Sequence, residues 1–210
     1  MAIAMPEPDA AVLARQAEIV AALRAIVPGE GTVSDPVALR AYESDALTAY
    51  RQPPLAVVLP ETVGQVSRVL AWCQAQGVRV VPRGAGTSLS GGSFPLADAV
   101  VVSMGKFNRI LAIDYAERLA VVQPCVANLA ISRAVEERGF YYAPDPSSQI
   151  ACSIGGNVAE NAGGVHCLKY GLTTNNVLGV EIVLMTGEVL RLGGRTLEPP
   201  ALDLLGVVVG

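Results

Sequence analysis

Gly84, Gly86, Gly91 and Gly92 crowd into one short stretch, with the hydroxyl residues Thr87, Ser88 and Ser90 between them. Glycine lets backbone N–H groups turn toward a ligand and lets the ligand come close. A concave row of such amides, helped by hydroxyls, suits a phosphate or pyrophosphate. The stretch therefore predicts a cradle for an anionic cofactor. It is not the dinucleotide fingerprint, because Leu89 stands where a third glycine would be needed. It is not a P-loop either, because Gly92 occupies the place of the phosphate-binding lysine. A flexible turn between strands is the plainer alternative.

A second cluster lies further on. It comprises Ala143-Pro144-Asp145-Pro146-Ser147-Ser148-Gln149, then Cys152-Ser153-Ile154-Gly155-Gly156-Asn157, then Glu160-Asn161-Ala162-Gly163-Gly164. It has little periodicity, and long structured loops of this kind tend to line a site. Asn157 and Asn161 can each donate and accept hydrogen bonds, which suits a flat heteroaromatic ring. The two glycine pairs would let such a ring lie against backbone. A compact loop satisfied by its own side chains is the alternative. Taken together, the clusters suggest one extended ligand, with pyrophosphate at 82–92 and a flat ring near 144–164. A flavin dinucleotide has that shape. His166, the one histidine, follows directly; it reads as a loop histidine bonded to backbone rather than as a base, and Cys167 as a flavin attachment point is weaker still.

The elements that must position these clusters follow from periodicity. Residues 11–27 read as an amphipathic helix ended by Pro28-Gly29, and residues 31–54 as a polar segment wrapping over the main domain. Residues 56–59 form a buried strand closed by Pro60. Thr62 caps a helix carrying Val66, Val69, Leu70 and Cys73, which Gly77 stops before a strand over 78–81. Strand–helix–strand in so few residues makes those two strands parallel. The glycine loop then leaves the carboxyl end of the second strand, where open α/β sheets bind ligands. A strand over 99–103 follows, then a hairpin of 109–115 with 118–123 around Ala116-Glu117. Residues 127–138 form a second helix, with Ile131 and Val135 one turn apart and Gly139 as its stop. A second hairpin joins 177–185 to 188–192 around Thr186-Gly187. The expected class is α+β: a small parallel lobe, then a mainly antiparallel one.

Composition narrows the function. The 210 residues allow one large domain or two small ones, and 51% hydrophobic with 16% charged residues is globular. A net charge of −4 and only 5% aromatics argue against nucleic-acid binding. Cys73, Cys125, Cys152 and Cys167 are widely spaced, and with a single histidine they make a poor zinc site. Reduced thiols in a cytosolic protein are the expectation. Glu7 and Asp9, without a basic n-region, argue against a signal peptide, and no apolar run is long enough to span a membrane.

Pro82-Arg83-Gly84-Ala85-Gly86-Thr87-Ser88-Leu89-Ser90-Gly91, Pro144-Asp145-Pro146-Ser147-Ser148, the run from Ser153 to Gly164, and Lys169-Tyr170-Gly171 occur in that order. In these motifs the chain resembles the FAD-binding domain of the vanillyl-alcohol oxidase/p-cresol methylhydroxylase (PCMH) superfamily. Within it, the chain is most similar to the branch of glycolate oxidase FAD subunits and D-lactate dehydrogenases, from about Val33 to the last residue. The resemblance implies a two-subdomain PCMH-type fold holding FAD between its lobes, here with the second lobe incomplete. It implies that backbone amides of Arg83, Gly84, Ala85, Gly86, Thr87 and Ser88 hold the pyrophosphate, with Pro82, Ser90 and Gly91 beside them. Pro146, Ser153, Gly156, Asn157, Gly163 and Gly164 would lie along the riboflavin part. Val180 and Ile182 would offer backbone contacts to the adenine end. Some members tether FAD through a histidine in the first loop; Thr87 and Ser88 stand there, so non-covalent FAD is expected.

The resemblance divides the chain into an N-terminal segment, 1–50, and an FAD-binding domain, 51–210. A substrate cap domain would lie beyond a chain that ends inside an apolar run, so a truncated product is expected. The cap would supply the catalytic base and, in some members, a metal; neither is assigned here. The implied activity is oxidation of a 2-hydroxy acid to a 2-oxo acid, with electrons passing to a partner subunit or a carrier. These 210 residues alone are not expected to turn over substrate. The implied location is cytoplasmic, with peripheral association at the inner membrane through partners. The rivals are a non-catalytic FAD-binding fragment or subunit of a complex, and other chemistries on the same fold, as in the flavoprotein lobe of molybdenum hydroxylases or a cell-wall-precursor reductase. The motifs at 144–148 and 157–164 favour the hydroxy-acid branch.

Overall fold

Why the first strands are central is visible in their side chains. Ala56-Val57-Val58 (β2) and Ala99–Ser103 (β4) are buried at every position. Strands covered on both faces read as continuous apolar runs, as parallel strands usually do. A computed structural model of the chain describes residues 5–195 and 202–210, and divides it into two units. Residues 1–4 and 196–201 of the two expected domain spans lie outside the described residues.

The first unit comprises Met1–Lys106 with Val183–Glu188. It begins with α1 (Ala10–Ala14) and α2 (Gln16–Ile26). A single helix over 11–27 was the expectation; Arg15 leaves helical geometry at φ −97°, ψ 11°, and divides it. The Arg15 guanidinium there binds Glu18 at 3.0 Å and the Gln76 side chain at 2.6 Å. Asp9 caps α1, and its own N–H donates to the buried Asp98 carboxylate, which Arg79 also reaches.

The segment 31–54 does more than wrap. It supplies β1 (Thr32–Val33) and α3 (Pro36–Leu39), the latter capped by Asp35 with proline in its first turn. A two-residue strand is too short to show an alternation, so the sequence hid it. The α4 helix (Val63–Ala75) starts where Thr62 accepts the Gln65 N–H. Then comes β3 (Arg79–Arg83). The sheet order is β1-β2-β4-β3, with β1 antiparallel and the other pairings parallel. The strands flanking α4 are parallel as expected, but they are not neighbours: β4 lies between them. Leu39, Val57 and Val101 centre one core cluster, with Tyr42, Leu59 and Val81 packed on it.

Cys73 of α4 is fully buried, and burial pushes its thiol up to about 12. An unfolded thiol ionises near ~8.5, so above that pH only the unfolded chain gains the charge. Stability is therefore lost as pH rises from there toward 12, by at most ~1.4 kcal/mol per pH unit from this group. Urea midpoints measured across this range should fall less steeply in Cys73→Ala than in the parent chain.

The second unit comprises Phe107–Ile182 with Val189–Gly210. Its β5 (Ile110–Asp114) and β6 (Leu119–Val122) form an antiparallel hairpin. Asp114 ties the turn by accepting the N–H groups of Ala116 and Glu117. The α5 helix (Asn128–Val135) ends in one 3₁₀ turn and Gly139 at φ +75°, matching the expected stop. Then follow α6 (Ile154–Ala159), α7 (Cys167–Tyr170) and α8 (Thr173–Asn176). The hairpin of β7 (Gly179–Val183) with β8 (Val189–Gly193) and the short α9 (Leu205–Val208) complete it. Val126, Ile131 and Ile154 centre its core, with Ile110, Val122 and Tyr142 against them. Among the described residues, no helix is long and apolar enough to cross a membrane.

Candidate functional site

In the first unit the glycine loop leaves β3 at Arg83, at the carboxyl end of a parallel strand. Gly86 and Gly91 adopt φ of +70° and +78°. Side chains disfavour that region by about 1–2 kcal/mol. The Arg83 guanidinium lies against the loop: it donates to the Ser93 carbonyl at 3.3 Å and sits 5.9 Å from the Tyr42 ring centre. A Cβ on Gly86 would run into it. Burial pulls the Arg83 pKa below its ordinary value, against the nearby Asp45 carboxylate, which favours the charge. Asp45 is buried; one oxygen accepts the Leu47 N–H, and the other has no partner among the described residues.

Local bonds shape the rest of the loop. Ser88 Oγ accepts the Ser90 N–H at 2.9 Å, and Gly91 O accepts the Phe94 N–H at 3.1 Å. Among the described residues, no acceptor is found for the N–H groups of Ala85, Gly86, Thr87, Ser88 or Leu89. A row of spare donors beside a half-buried cation is chemistry for an anion. The fit to a pyrophosphate is good, and it needs no lysine at position 92.

In the second unit the chemistry is organised from α5. Asn128 is only 1% exposed, and its Nδ2 donates to the Pro144 carbonyl at 2.9 Å and to Asn157 Oδ1 at 2.8 Å. Asn157 Nδ2 points at Cys152 Sγ, 3.2 Å away. The Asn161 side chain accepts the Thr174 N–H at 3.0 Å. The Asn157 amide is thus engaged on both sides, whereas for Asn161 the bond found among the described residues uses only its oxygen. Asn128 was not anticipated; an asparagine opening a helix is ordinarily an exposed cap, and only its neighbours in space reveal the role.

Ser153 caps α6 through the Gly156 N–H at 3.3 Å. Gly155 lies so close to Pro124 that a Cβ would come within 2.8 Å of its side chain. Pro146 is buried, and its carbonyl accepts the Gln149 N–H. Gly156 is exposed, whereas a side chain on Gly163 would meet Leu172 and one on Gly164 would meet Asp145. Val180 and Ile182 share the half-buried face of β7. His166 does not bond to a backbone carbonyl as expected; its partner is the Asp145 carboxylate, at 2.6 Å. Tyr142 is mostly buried, and that burial pushes its phenol up to about 12.

A family model described as an FAD binding domain matches residues 54–193. Glycolate oxidase subunit GlcD of Escherichia coli strain K12 is 52% identical over 207 residues, covering 99% of this chain and 40% of that protein. GlcD of Bacillus subtilis is 43% identical over 80% of this chain and 36% of its own length. D-2-hydroxyglutarate dehydrogenase of Xanthomonas citri pv. viticola is 36% identical, covering 84% of this chain and 37% of that protein. The chain thus spans about two-fifths of the length of the curated relatives it matches. Among solved structures, alkyldihydroxyacetonephosphate synthase superposes with a TM-score of 0.80 at 21% identity, over all of this chain and 42% of that one. A 4-ethylphenol oxidase from Gulosibacter chungangensis gives 0.78 at 24% identity, over 98% of this chain and 41% of that one. These likenesses bear out the expected α+β fold.

Proposed function

Because the chain belongs to the FAD binding domain family, we propose that it is the cofactor-holding part of an FAD-linked oxidoreductase of 2-hydroxy acids. Glycolate, D-lactate and D-2-hydroxyglutarate are the candidate substrates. The observation that carries the FAD site is the row of N–H groups from Ala85 to Leu89 without an acceptor among the described residues. The amides of Arg83 to Ser88 hold the pyrophosphate, with Pro82, Ser90 and Gly91 at its margins, and the Arg83 guanidinium adds charge beside them. Pro146, Ser153, Gly156, Asn157, Gly163 and Gly164 line the riboflavin part, and the backbone of Val180 and Ile182 meets the adenine end. Thr87 and Ser88 offer no tethering imidazole, so FAD is held without a covalent bond.

When bound, FAD supplies the acceptor for the hydride leaving the hydroxyl-bearing carbon. This chain's residues bind and orient the cofactor, and they assign no base. Two relatives carry the word subunit in their names, which supports a place in a complex that passes electrons to a partner or a carrier. Working in the cytoplasm, with docking at the inner membrane through partners, belongs to the same proposal.

Anaerobic mixing tests the substrate class. FAD-loaded protein, including whatever sequence flanks these residues in its gene, is mixed with each acid in turn. Bleaching of the visible flavin bands by at least one is the expected result. Bands that persist with all three would mark a non-catalytic FAD-binding module, or a different chemistry on the same fold.

A further inference from the structure

Residues 143–149 and 162–171 lie far apart in sequence, yet one carboxylate ties them together. Asp145 Oδ2 meets His166 Nδ1 at 2.6 Å, and Asp145 Oδ1 accepts the His166 backbone N–H at 3.4 Å. We propose that Asp145 and His166 form a clasp that closes the ring-side loops and sets how long FAD stays bound. The proposal rests on the reading of these loops as the flavin's.

What surrounds the pair supports a dedicated role. Tyr141 and Tyr170 meet edge-to-face at 6.0 Å, and both rings stand by the imidazole, at 6.2 and 6.5 Å. Tyr141 with Tyr170 thus encloses the inner pair Asp145 with His166, and the two segments run past each other in opposite directions. The Lys169 ammonium lies 5.2 Å from the Tyr170 ring centre. Gly164 lets the segments approach, since a side chain there would collide with the Asp145 carbonyl.

The ends of both segments are anchored independently. Asn128 holds the Pro144 carbonyl, and Thr173 holds the Ala162 carbonyl through both its N–H and its hydroxyl. The stretch between is not held by burial: Val165 is 85% exposed and Leu168 98%. Local bonds shape its turn, from Gly164 O to the Cys167 N–H and from His166 O to the Tyr170 N–H, and Asn176 holds the Tyr170 carbonyl; the polar clasp is what ties it to residues 143–149. Partial desolvation pushes the Asp145 carboxyl up, but the bonds and charge of His166 outweigh it, and the pKa lies below the ordinary value. The acceptor stays ionised well into acid.

The test is FAD release from the loaded chain, followed by the rise of free-flavin fluorescence on dilution. Asp145→Asn and His166→Gln should each speed release about tenfold, the effect of one charge-assisted bond. The double variant should be no faster than either single, because both remove the same contact. His166→Arg restores a donor to the carboxylate and should return the rate to near that of the parent. His166 is the one histidine of the chain, so its imidazole is resolved by ¹⁵N resonance without assignment. It should carry its proton on Nδ1 in the parent and lose that signature in Asp145→Ala, where no side-chain acceptor remains. Release rates within twofold of the parent in both single variants would overturn the clasp alone. A parent chain that binds no FAD would overturn the clasp together with the reading of the loops.

Discussion

Gly86→Ala lowers FAD affinity about a hundredfold. The left-handed backbone at Gly86, φ +70°, accounts for about 1–2 kcal/mol of strain on its own. The new methyl also meets the Arg83 guanidinium, which is held by the Ser93 carbonyl and the Tyr42 ring. Relieving the contact moves either the cation or the amides of residues 85–89 away from the pyrophosphate. A misdirected N–H to a charged phosphate costs about 1.5–3 kcal/mol, and a hundredfold corresponds to about 2.7 kcal/mol. Gly77→Ala is the control. Its φ of +67° brings the same strain, but a Cβ there has nothing within 4 Å. It should lower stability by about 1 kcal/mol and leave FAD titrations unchanged. Equal affinities in the parent and Gly86→Ala would remove the loop from the site.

Asn128→Ala has the largest expected effect on the fold of the second unit. Its side chain is buried and donates to Pro144 O and Asn157 Oδ1. Truncation leaves the buried Pro144 carbonyl without its donor and Asn157 Oδ1 with only the weak Cys152 thiol at 3.7 Å, and an unmet buried acceptor costs about 1–3 kcal/mol. A loss of that size is large against the stability of an ordinary domain. Asn128→Leu keeps the volume and removes the donors without adding charge, so a similar loss in urea unfolding would assign the effect to the hydrogen bonds. Wild-type stability in Asn128→Leu would instead place it in packing. In either variant the segments holding Pro144 and Asn157 loosen, and FAD binding weakens with them.

How much of this was legible in the sequence depended on whether the cause was local. The apolar runs of β2 and β4, the Thr62 cap of α4, and Gly139 and Gly187 at their turns all act within a few residues of themselves. They were read correctly for that reason. The glycine loop was legible because its need for positive φ is written in residue types. The α6 helix was not: Ile154-Gly155-Gly156-Asn157 has poor helix propensity. Tertiary contacts hold it instead, through the Ser153 cap and the close approach of Gly155 to Pro124. The insertion of β4 between β2 and β3 is likewise a matter of which strand is covered on both faces. Asn128, and the pairing of Asp145 with His166, join positions distant in sequence, and nothing at either position announces the other.

The most direct measurement is the visible absorption spectrum of the purified chain, incubated with FAD and freed of excess, before and after acid precipitation. Flavin bands should be present and should pass wholly into the supernatant, as expected for FAD held by the glycine loop without a covalent bond. No bands on a chain whose circular dichroism shows it folded would contradict the account, and bands retained in the pellet would contradict its non-covalent part.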